Sequence, residues 1–189
     1  MYDDEFELTF DLSNEDEASR APEPEQEPVQ EAAPEPAAET EPPVEPVPGP
    51  AVPAANGRCV LISGGDRGIG AAAARAFWQA GYRVAVLYHT HAEAAAALEK
   101  ALPGLLAVQC DVASRASCEV AFHTVEQAVG HVDVLVSNAG IAQQKLFTDI
   151  TPEEWQHMLD VNLSGAFHLC QLALPGMIRR KAGRILTVS

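Results

Sequence analysis

The feature that most constrains the fold is the alternation of short apolar runs with helix-like stretches between residues 58 and 189. Five runs have the length and the apolar composition of buried strands: 59–63, 83–88, 105–109, 133–137 and 184–188. The stretches between them favour helices, at 68–80, 91–101, 115–129 and from Thr151 to about Arg180. Because parallel neighbours in a sheet need a crossover connection, this order predicts an α/β fold with a doubly wound parallel sheet.

The last helical stretch has the clearest boundary signals. Thr151, Pro152 and Glu154 predict a capped first turn, with Thr151 as the N-cap and Glu154 completing a capping box. We expect one helix from there to about Arg180, with a kink at Pro175.

Residues 1–57 differ from the rest of the chain in charge and composition. They hold 16 of the 27 acidic residues and one of the 12 basic residues, so the net charge of −15 lies entirely there. Their apolar surface is too small to offset the entropy of ordering, so we predict a disordered acidic tail followed by one domain at 58–189. That domain is neutral overall, which argues against nucleic-acid binding, because such binding needs a cationic surface.

Residues 1–12 of the tail alternate apolar and polar side chains. Phe6, Leu8, Phe10 and Leu12 recur with a period of two. One interpretation is a peptide that binds a partner by adding a strand to its sheet. The other interpretation is an accidental pattern at a frayed terminus.

Composition excludes further classes of protein. No run approaches the roughly 18 apolar residues of a transmembrane helix, so we expect no membrane partner. The acidic N-terminus is unlike a secretory or mitochondrial presequence.

Four cysteines without C-x-x-C spacing favour reduced thiols and a cytoplasmic location. The six histidines show no metal-ligand pattern, and we predict no metal site.

A glycine-rich segment connects the first predicted strand to the first predicted helix. It consists of Gly64, Gly65, Asp66, Arg67, Gly68, Ile69 and Gly70. Glycines let the backbone turn tightly and approach a pyrophosphate, whose charge a helix N-terminus favours. The segment therefore predicts a dinucleotide-binding loop, although a plain glycine-rich turn has the same composition.

The same segment resembles the T-G-x-x-x-G-I-G loop of the short-chain dehydrogenase/reductase family, with Ser63 in the place of Thr. Further motifs resemble that family in the same order: Asp111-Val112, Ser137-Asn138-Ala139-Gly140, Asn162 and Gly183-Arg184-Ile185. The resemblance covers residues 58–189 and implies a Rossmann fold. It also implies that the loop forms a cofactor site together with Asp111, Val112, Asn138, Ala139 and Gly140. In that site, Asp111 and Val112 would contact the adenine.

The chemistry that the resemblance implies is hydride transfer between nicotinamide C4 and a carbonyl or alcohol carbon. A Tyr acts as general acid and base, a Lys lowers the pKa of that Tyr, a Ser holds the substrate oxygen, and an Asn helps to hold a proton-relay water. Asn162 matches that Asn and is the candidate catalytic residue. The alternative is a helix-kink residue that bonds backbone. We also expect the parent protein to be a homo-oligomer.

Charge near the end of the second predicted strand bears on the choice of cofactor. Family members that bind NAD have an acid there for the ribose 2′-hydroxyl, whereas this chain has Tyr88 and no acid before Glu93. Arg67 lies where a cation can pair with a 2′-phosphate, so we predict NADP. Asp66 opposes a phosphate unless it serves only as a turn residue.

The catalytic Tyr and Lys of the family have no counterpart in this sequence. Tyr2, Tyr82 and Tyr88 are not followed by Lys four residues later, and Ser189 corresponds to the position before the catalytic Ser. We therefore expect a C-terminally truncated fragment of an enzyme, with an incomplete sheet. Four apolar side chains of the last helix should then lose packing partners: Phe167, Leu169, Leu172 and Met177. The alternative is a catalytically dead module that binds cofactor or recruits a partner through its tail.

The substrate class follows from resemblance alone. The core resembles 3-oxoacyl-[acyl-carrier-protein] reductases, which implies a small-molecule or carrier-bound carbonyl. Residues 140–150 resemble more specifically the elongation factor P 5-aminopentanone reductases, which reduce a ketone on a modified lysine of elongation factor P. Ordinary variation within the family is the alternative explanation of that stretch.

Overall fold

The structure is a computed structural model that describes residues 55–189. The predicted tail lies outside the described residues, apart from its last three positions. The alternating pattern at 1–12 also lies outside them, and both of its interpretations stay open.

All five predicted strands form, and they make one parallel sheet. The strands are β1 (Cys59–Ser63), β2 (Arg83–Tyr88), β3 (Leu106–Gln109), β4 (Val134–Ser137) and β5 (Arg184–Thr187). The helices are α1 (Gly68–Gln79), α2 (Ala92–Ala101), α3 (Arg115–Val129), α4 (Pro152–Leu159) and α5 (Gly165–Arg180). The strand order is β3-β2-β1-β4-β5, with every neighbouring pair parallel. The prediction of a parallel α/β sheet is confirmed.

Strand β1 lies at the centre of the sheet and is buried along its whole length. Its side chains alternate between two apolar layers, as the period of a strand requires. Val60 and Ile62 pack in the layer that contains side chains of α1 and α2. Cys59 and Leu61 pack in the layer that contains side chains of α3 and α5. Helices therefore cover both faces, which confirms the doubly wound arrangement.

The expectation of a single long helix after Thr151 is wrong in one respect. The capping box of Thr151 and Glu154 is present, but the helix is divided by a π-helical turn at Asp160–Ser164. This turn contains Asn162, whose side chain bonds the backbone of a distant loop. A π-helical turn adds a residue to the helix and is often found at functional sites. A short 3₁₀ turn at Phe147–Asp149, which the sequence did not indicate, precedes α4.

The expectation that α5 loses its packing partners is also wrong in part. Leu169 is 0% exposed and Met177 is 6% exposed, because both pack against the described sheet and α3. Phe167, by contrast, is 58% exposed. Within residues 55–189, no helix combines the length and apolarity needed to cross a membrane.

Candidate functional site

A cavity of about 340 Å³ lies at the carboxyl ends of the strands. The chain runs from β1 outward through β2 to β3, and then from β4 outward to β5 on the other side. The connections after β1 and β4 therefore leave the sheet in opposite directions and open a crevice between them. Ligands of open α/β sheets bind at such a switch point.

The inner wall of the cavity is built from closely packed backbone. We define it as the lining residues Gly64, Asn138 and Ala139 together with Ser63 and Gly70, which pack behind them. Gly64 has φ +61°, and a Cβ placed there would lie 3.0 Å from the Cα of Ala139. A Cβ on Gly70 would lie 2.1 Å from the carbonyl oxygen of Gly64. These two positions require glycine, because any side chain would push the loop away from the end of β4.

Two polar side chains, the buried Ser63 and the half-buried Asn138, tie the inner wall together. The hydroxyl oxygen of Ser63 accepts hydrogen bonds from the backbone N–H groups of Asn138 and Ala139, each at 3.0 Å. The Nδ2 atom of Asn138 donates to the carbonyl oxygens of Ser63, at 3.1 Å, and of Gly64, at 3.0 Å. The loop after β1 and the loop after β4 thus hold each other in place.

Helix α1 begins at the cavity, where Asp66, Arg67, Gly68 and Ile69 form part of the lining. Its N-cap residue is Arg67, and no side chain caps its first turn. The N–H groups of a first helical turn lack partners within the helix, and the helix dipole favours an anion there. This end of the cavity suits a phosphate group.

The outer wall, which we define as Asp66, Arg67, His89, Thr90 and His91, is polar. An Arg67 guanidinium nitrogen lies 3.3 Å from Nε2 of His91, whose Nδ1 lies 3.2 Å from the hydroxyl of Thr90. Because a guanidinium only donates, Nε2 accepts in this arrangement and the imidazole proton lies on Nδ1.

The Asp66 carboxylate lies on the other side of His91, with Oδ2 3.5 Å from the Nδ1 atom. Its side chain is 6% exposed, and Oδ2 has no hydrogen-bond partner among the described residues. A buried oxygen without a partner is costly unless a ligand or a water supplies one.

Asp111 and Val112 line the far side of the cavity, after β3. The Oδ1 atom of Asp111 accepts a hydrogen bond from the N–H of Ala113 at 3.0 Å, which fixes the turn that leads into α3. Cys110 precedes them and also lines the cavity. The N–H of Cys110 donates to the carbonyl oxygen of Tyr88 at 2.8 Å, so this segment is attached to the end of β2.

Asn162 contacts the loop after β4. Its Oδ1 atom accepts from the N–H of Ile141 at 2.8 Å, and its Nδ2 atom donates to the carbonyl oxygen of the same residue at 3.0 Å. A Cβ on Gly140 would lie 3.2 Å from Oδ1 of Asn162. The side chain thus fastens the π-helical turn to the loop that borders the cavity. Asn162 bonds backbone, as the alternative interpretation holds, and a catalytic role for it stays a prediction.

Most of the residues predicted for the cofactor site lie together around this cavity. Ten of them line it: Gly64, Asp66, Arg67, Gly68, Ile69, Asp111, Val112, Asn138, Ala139 and Gly140. Gly65 and Gly70 do not line the cavity, because they pack closely against neighbouring residues. A Cβ on Gly65 would lie only 2.6 Å from the Cβ of Val86. Their binding roles stay predictions.

The sequence reasoning missed several lining residues. These include His89, Thr90, His91, Ile141, His157 and Val161. The first three directly follow β2, and the carboxyl ends of parallel strands meet at one edge of a sheet, so their position was available from the predicted topology. The position of His157 and Val161 depends on how α4 and the π-helical turn pack, which the sequence pattern does not indicate.

The cavity fits a dinucleotide in shape and in polarity. Glycines leave room for a pyrophosphate at the inner wall, the start of α1 offers N–H groups, and the outer wall offers a guanidinium and an unpartnered carboxylate oxygen. The residues present are thus compatible with a nicotinamide dinucleotide.

Comparison with known proteins agrees with this geometry. A family profile described as short chain dehydrogenase matches residues 58–189. The acetoacetyl-CoA reductase of Paracoccus denitrificans is 38% identical over 132 residues, which are 70% of this chain and 54% of that protein. The 3-oxoacyl-[acyl-carrier-protein] reductase MabA of Mycobacterium tuberculosis (strain ATCC 25618 / H37Rv) is 39% identical over 131 residues, which are 69% of this chain and 50% of that protein. The chain spans about half the length of these curated relatives.

Proposed function

We propose, from the premise that this chain belongs to the short-chain dehydrogenase family, that it forms the dinucleotide-binding part of an NADP-dependent reductase that converts a carbonyl to an alcohol. The observation that carries the proposal is the glycine-lined cavity at the switch point of the sheet. A bound nicotinamide dinucleotide would supply the hydride. The chain's own residues bind, orient and enclose that group.

The outer wall supports NADP over NAD. Arg67 is exposed at the cavity and can pair with a 2′-phosphate, and its guanidinium donates to Nε2 of His91. No carboxylate follows β2 directly, where the ribose 2′-hydroxyl of NAD would need an acceptor. Asp66 is the one acidic group of the outer wall. We assign its free Oδ2 atom to a ribose hydroxyl rather than to the phosphate.

Equilibrium binding of NADPH and NADH to the purified chain tests the cofactor assignment. We expect NADPH to bind at least about tenfold more tightly, since a charge-assisted contact with the phosphate is worth roughly 1.5–3 kcal/mol. Tighter binding of NADH would overturn the choice of NADP while leaving the family intact. Binding of neither cofactor would favour the alternative, a module that recruits a partner.

The substrate proposed for the whole protein is a 3-oxoacyl thioester. Its support is that relatives are named acetoacetyl-CoA reductase and 3-oxoacyl-[acyl-carrier-protein] reductase. NADPH consumption with acetoacetyl-CoA, measured on protein purified from its natural source, tests it. The chain's part in such a reaction would be to position the loop after β4 through the Asn162–Ile141 hydrogen bonds.

A second candidate substrate is the ketone on the modified lysine of elongation factor P. Its support is the likeness of residues 140–150 to that reductase subgroup. In the structure this stretch exposes Leu146 and Phe147, and Phe147 and Trp155 line a further cavity of about 410 Å³. An exposed apolar surface suits a macromolecular substrate. Reduction of the modified factor without reduction of acetoacetyl-CoA would favour this candidate.

We propose two further properties of the whole protein. Four large apolar side chains lie exposed along one stripe of α5 and the turn before it: Leu163, Phe167, Leu174 and Ile178. Such a stripe supports a homo-oligomer, which sedimentation velocity tests.

A cytoplasmic location is supported by the four free cysteines, because thiols stay reduced there. Fluorescence microscopy of the tagged protein tests that location.

A further inference from the structure

Two thiols lie next to each other at the edge of the cavity. Cys110 follows β3 and lines the cavity, and Cys118 lies in the first turn of α3. Their sulfur atoms are 3.9 Å apart, and the two residues are 2% and 0% exposed. The sulfurs are therefore in contact without being bonded, and Cys110 is the one of the two residues that lines the cavity.

The pair is connected to the backbone that we assign to the adenine. Cys118 Sγ lies 3.5 Å from the carbonyl oxygen of Val112 and 3.8 Å from that of Asp111. The hydroxyl of Ser117 donates toward Cys110 Sγ at 3.8 Å and accepts from the N–H of Asp111 at 3.0 Å. Any movement of either sulfur is thus transmitted to Asp111 and Val112.

The two thiols differ in acidity. The side-chain contact with the Cys118 thiol, supported by the Ser117 hydroxyl, lowers the pKa of Cys110 against the opposing effect of burial. The same contact with Cys110, together with burial, raises the pKa of Cys118. Burial raises the pKa of Cys59 to about 11 and also raises the pKa of Cys170. Among the four cysteines, the one that faces the cavity is the one that forms a thiolate most readily, and the thiolate is the form that reacts with oxidants.

We propose that Cys110 and Cys118 are a site of reversible oxidation, at which hydrogen peroxide entering the cavity converts the two thiols to a disulfide. The Cys110 sulfur attacks one peroxide oxygen, so that an S–O bond forms, the O–O bond breaks and hydroxide leaves, taking up a proton to become water. The Cys118 sulfur then attacks Cys110, so that the S–S bond forms, the S–O bond breaks and a second water leaves with the Cys118 proton. Two thiols are oxidised and one peroxide is reduced to two waters.

Formation of the bond changes the cavity. The sulfur separation must fall from 3.9 Å to about 2.05 Å, so the segment of Cys110 and the start of α3 move toward each other. Asp111 and Val112 follow this movement because they bond Ser117 and Cys118. The oxidised protein therefore binds the dinucleotide less tightly, a consequence that rests on the proposed function.

The experiment treats the full, reduced chain with hydrogen peroxide and measures its intact mass and its disulfide map. We expect the loss of two hydrogen atoms, a single Cys110–Cys118 crosslink, and recovery of the original mass with dithiothreitol. Cys118→Ser and Cys118→Ala should abolish the crosslink and leave a sulfenic acid on Cys110 that dimedone traps. Cys170→Ser is the matched control, since Cys170 is half-buried on α5, and should oxidise as the unmodified chain does.

The outcomes separate this inference from the proposed function. The oxidation site would be overturned by an unchanged mass after peroxide treatment or by a crosslink through another cysteine. The same loss of two hydrogen atoms in both Cys118 variants would also overturn it. If the reduced chain binds NADPH, oxidation should weaken that binding about tenfold, within the usual range for coupled sites, and equal binding would overturn the link to the cavity. If the reduced chain binds no dinucleotide while the crosslink still forms, the proposed function fails and the oxidation site stands.

Discussion

The inner wall of the cavity consists of backbone and two polar side chains, one buried and one half-buried, whereas its outer wall consists of charged and polar side chains that mostly face solvent. In the inner wall, backbone segments such as those of Gly64 and Gly70 pack so closely that there is no room for a side chain at Gly70. In the outer wall, hydrogen bonds of 3.2–3.3 Å join the side chains of Arg67, His91 and Thr90, which water also reaches. We therefore expect the inner wall to determine the shape of the site and the stability of the fold, and the outer wall to determine which dinucleotide is preferred.

The largest effect is expected for Gly70→Ala. Its Cβ would lie 2.1 Å from the carbonyl oxygen of Gly64, a backbone atom that cannot move without displacing the loop. We expect the free energy of unfolding to fall by about 3 kcal/mol and the affinities for NADPH and NADH to fall together. Urea denaturation and equilibrium binding measure the two effects.

The matched control is Gly104→Ala, at a glycine remote from the cavity. Gly104 has φ +86°, and a Cβ added there would meet no atom within 4 Å beyond its chain neighbours. Only backbone strain opposes alanine there, so we expect a loss of about 1 kcal/mol and unchanged cofactor binding. A loss at Gly104 equal to that at Gly70 would show that close packing of the inner wall is not the cause.

A smaller effect is expected for Ser63→Ala. Ser63 is fully buried, and its hydroxyl is the acceptor for the N–H groups of Asn138 and Ala139. Removing it leaves both donors unpaired, which should lower the free energy of unfolding by about 2 kcal/mol. Ser63→Thr keeps the hydroxyl and should lose less than half as much. Equal losses in the two variants, measured by urea denaturation, would argue against the hydrogen bonds as the source of stability.

Arg67→Gln tests the outer wall. We expect NADPH affinity to fall about tenfold, with little change in NADH affinity, because only NADPH presents a phosphate to the guanidinium. The melting temperature should change little, since the side chain is exposed and its contact with His91 is a surface hydrogen bond. Isothermal titration calorimetry and thermal melting give both values. Equal losses for NADPH and NADH would remove the distinction between the two walls.

The inner wall was more accessible to sequence reasoning than the outer wall. The run 59–63 and the glycines after it predicted a buried strand and a close turn, because these depend on local composition. The π-helical turn at Asn162 was not predicted, since it depends on a bond to Ile141, which is 21 positions away in the sequence. The sequence did not indicate His91 as a lining residue. Its contacts with Asp66 and Arg67 arise only when the ends of β1 and β2 meet.

The smallest effect is expected at His91, and it sharpens the account of the outer wall. If His91 acts by holding Arg67 through Nε2, His91→Ala should weaken NADPH binding about threefold, the cost of one exposed hydrogen bond. His91→Gln retains a side-chain acceptor for the guanidinium and should restore most of that loss, while NADH affinity stays constant in both variants. If glutamine binds NADPH as weakly as alanine does, His91 contributes through its own contact with the dinucleotide rather than by positioning Arg67. The outer wall would then contain two independent determinants of cofactor choice.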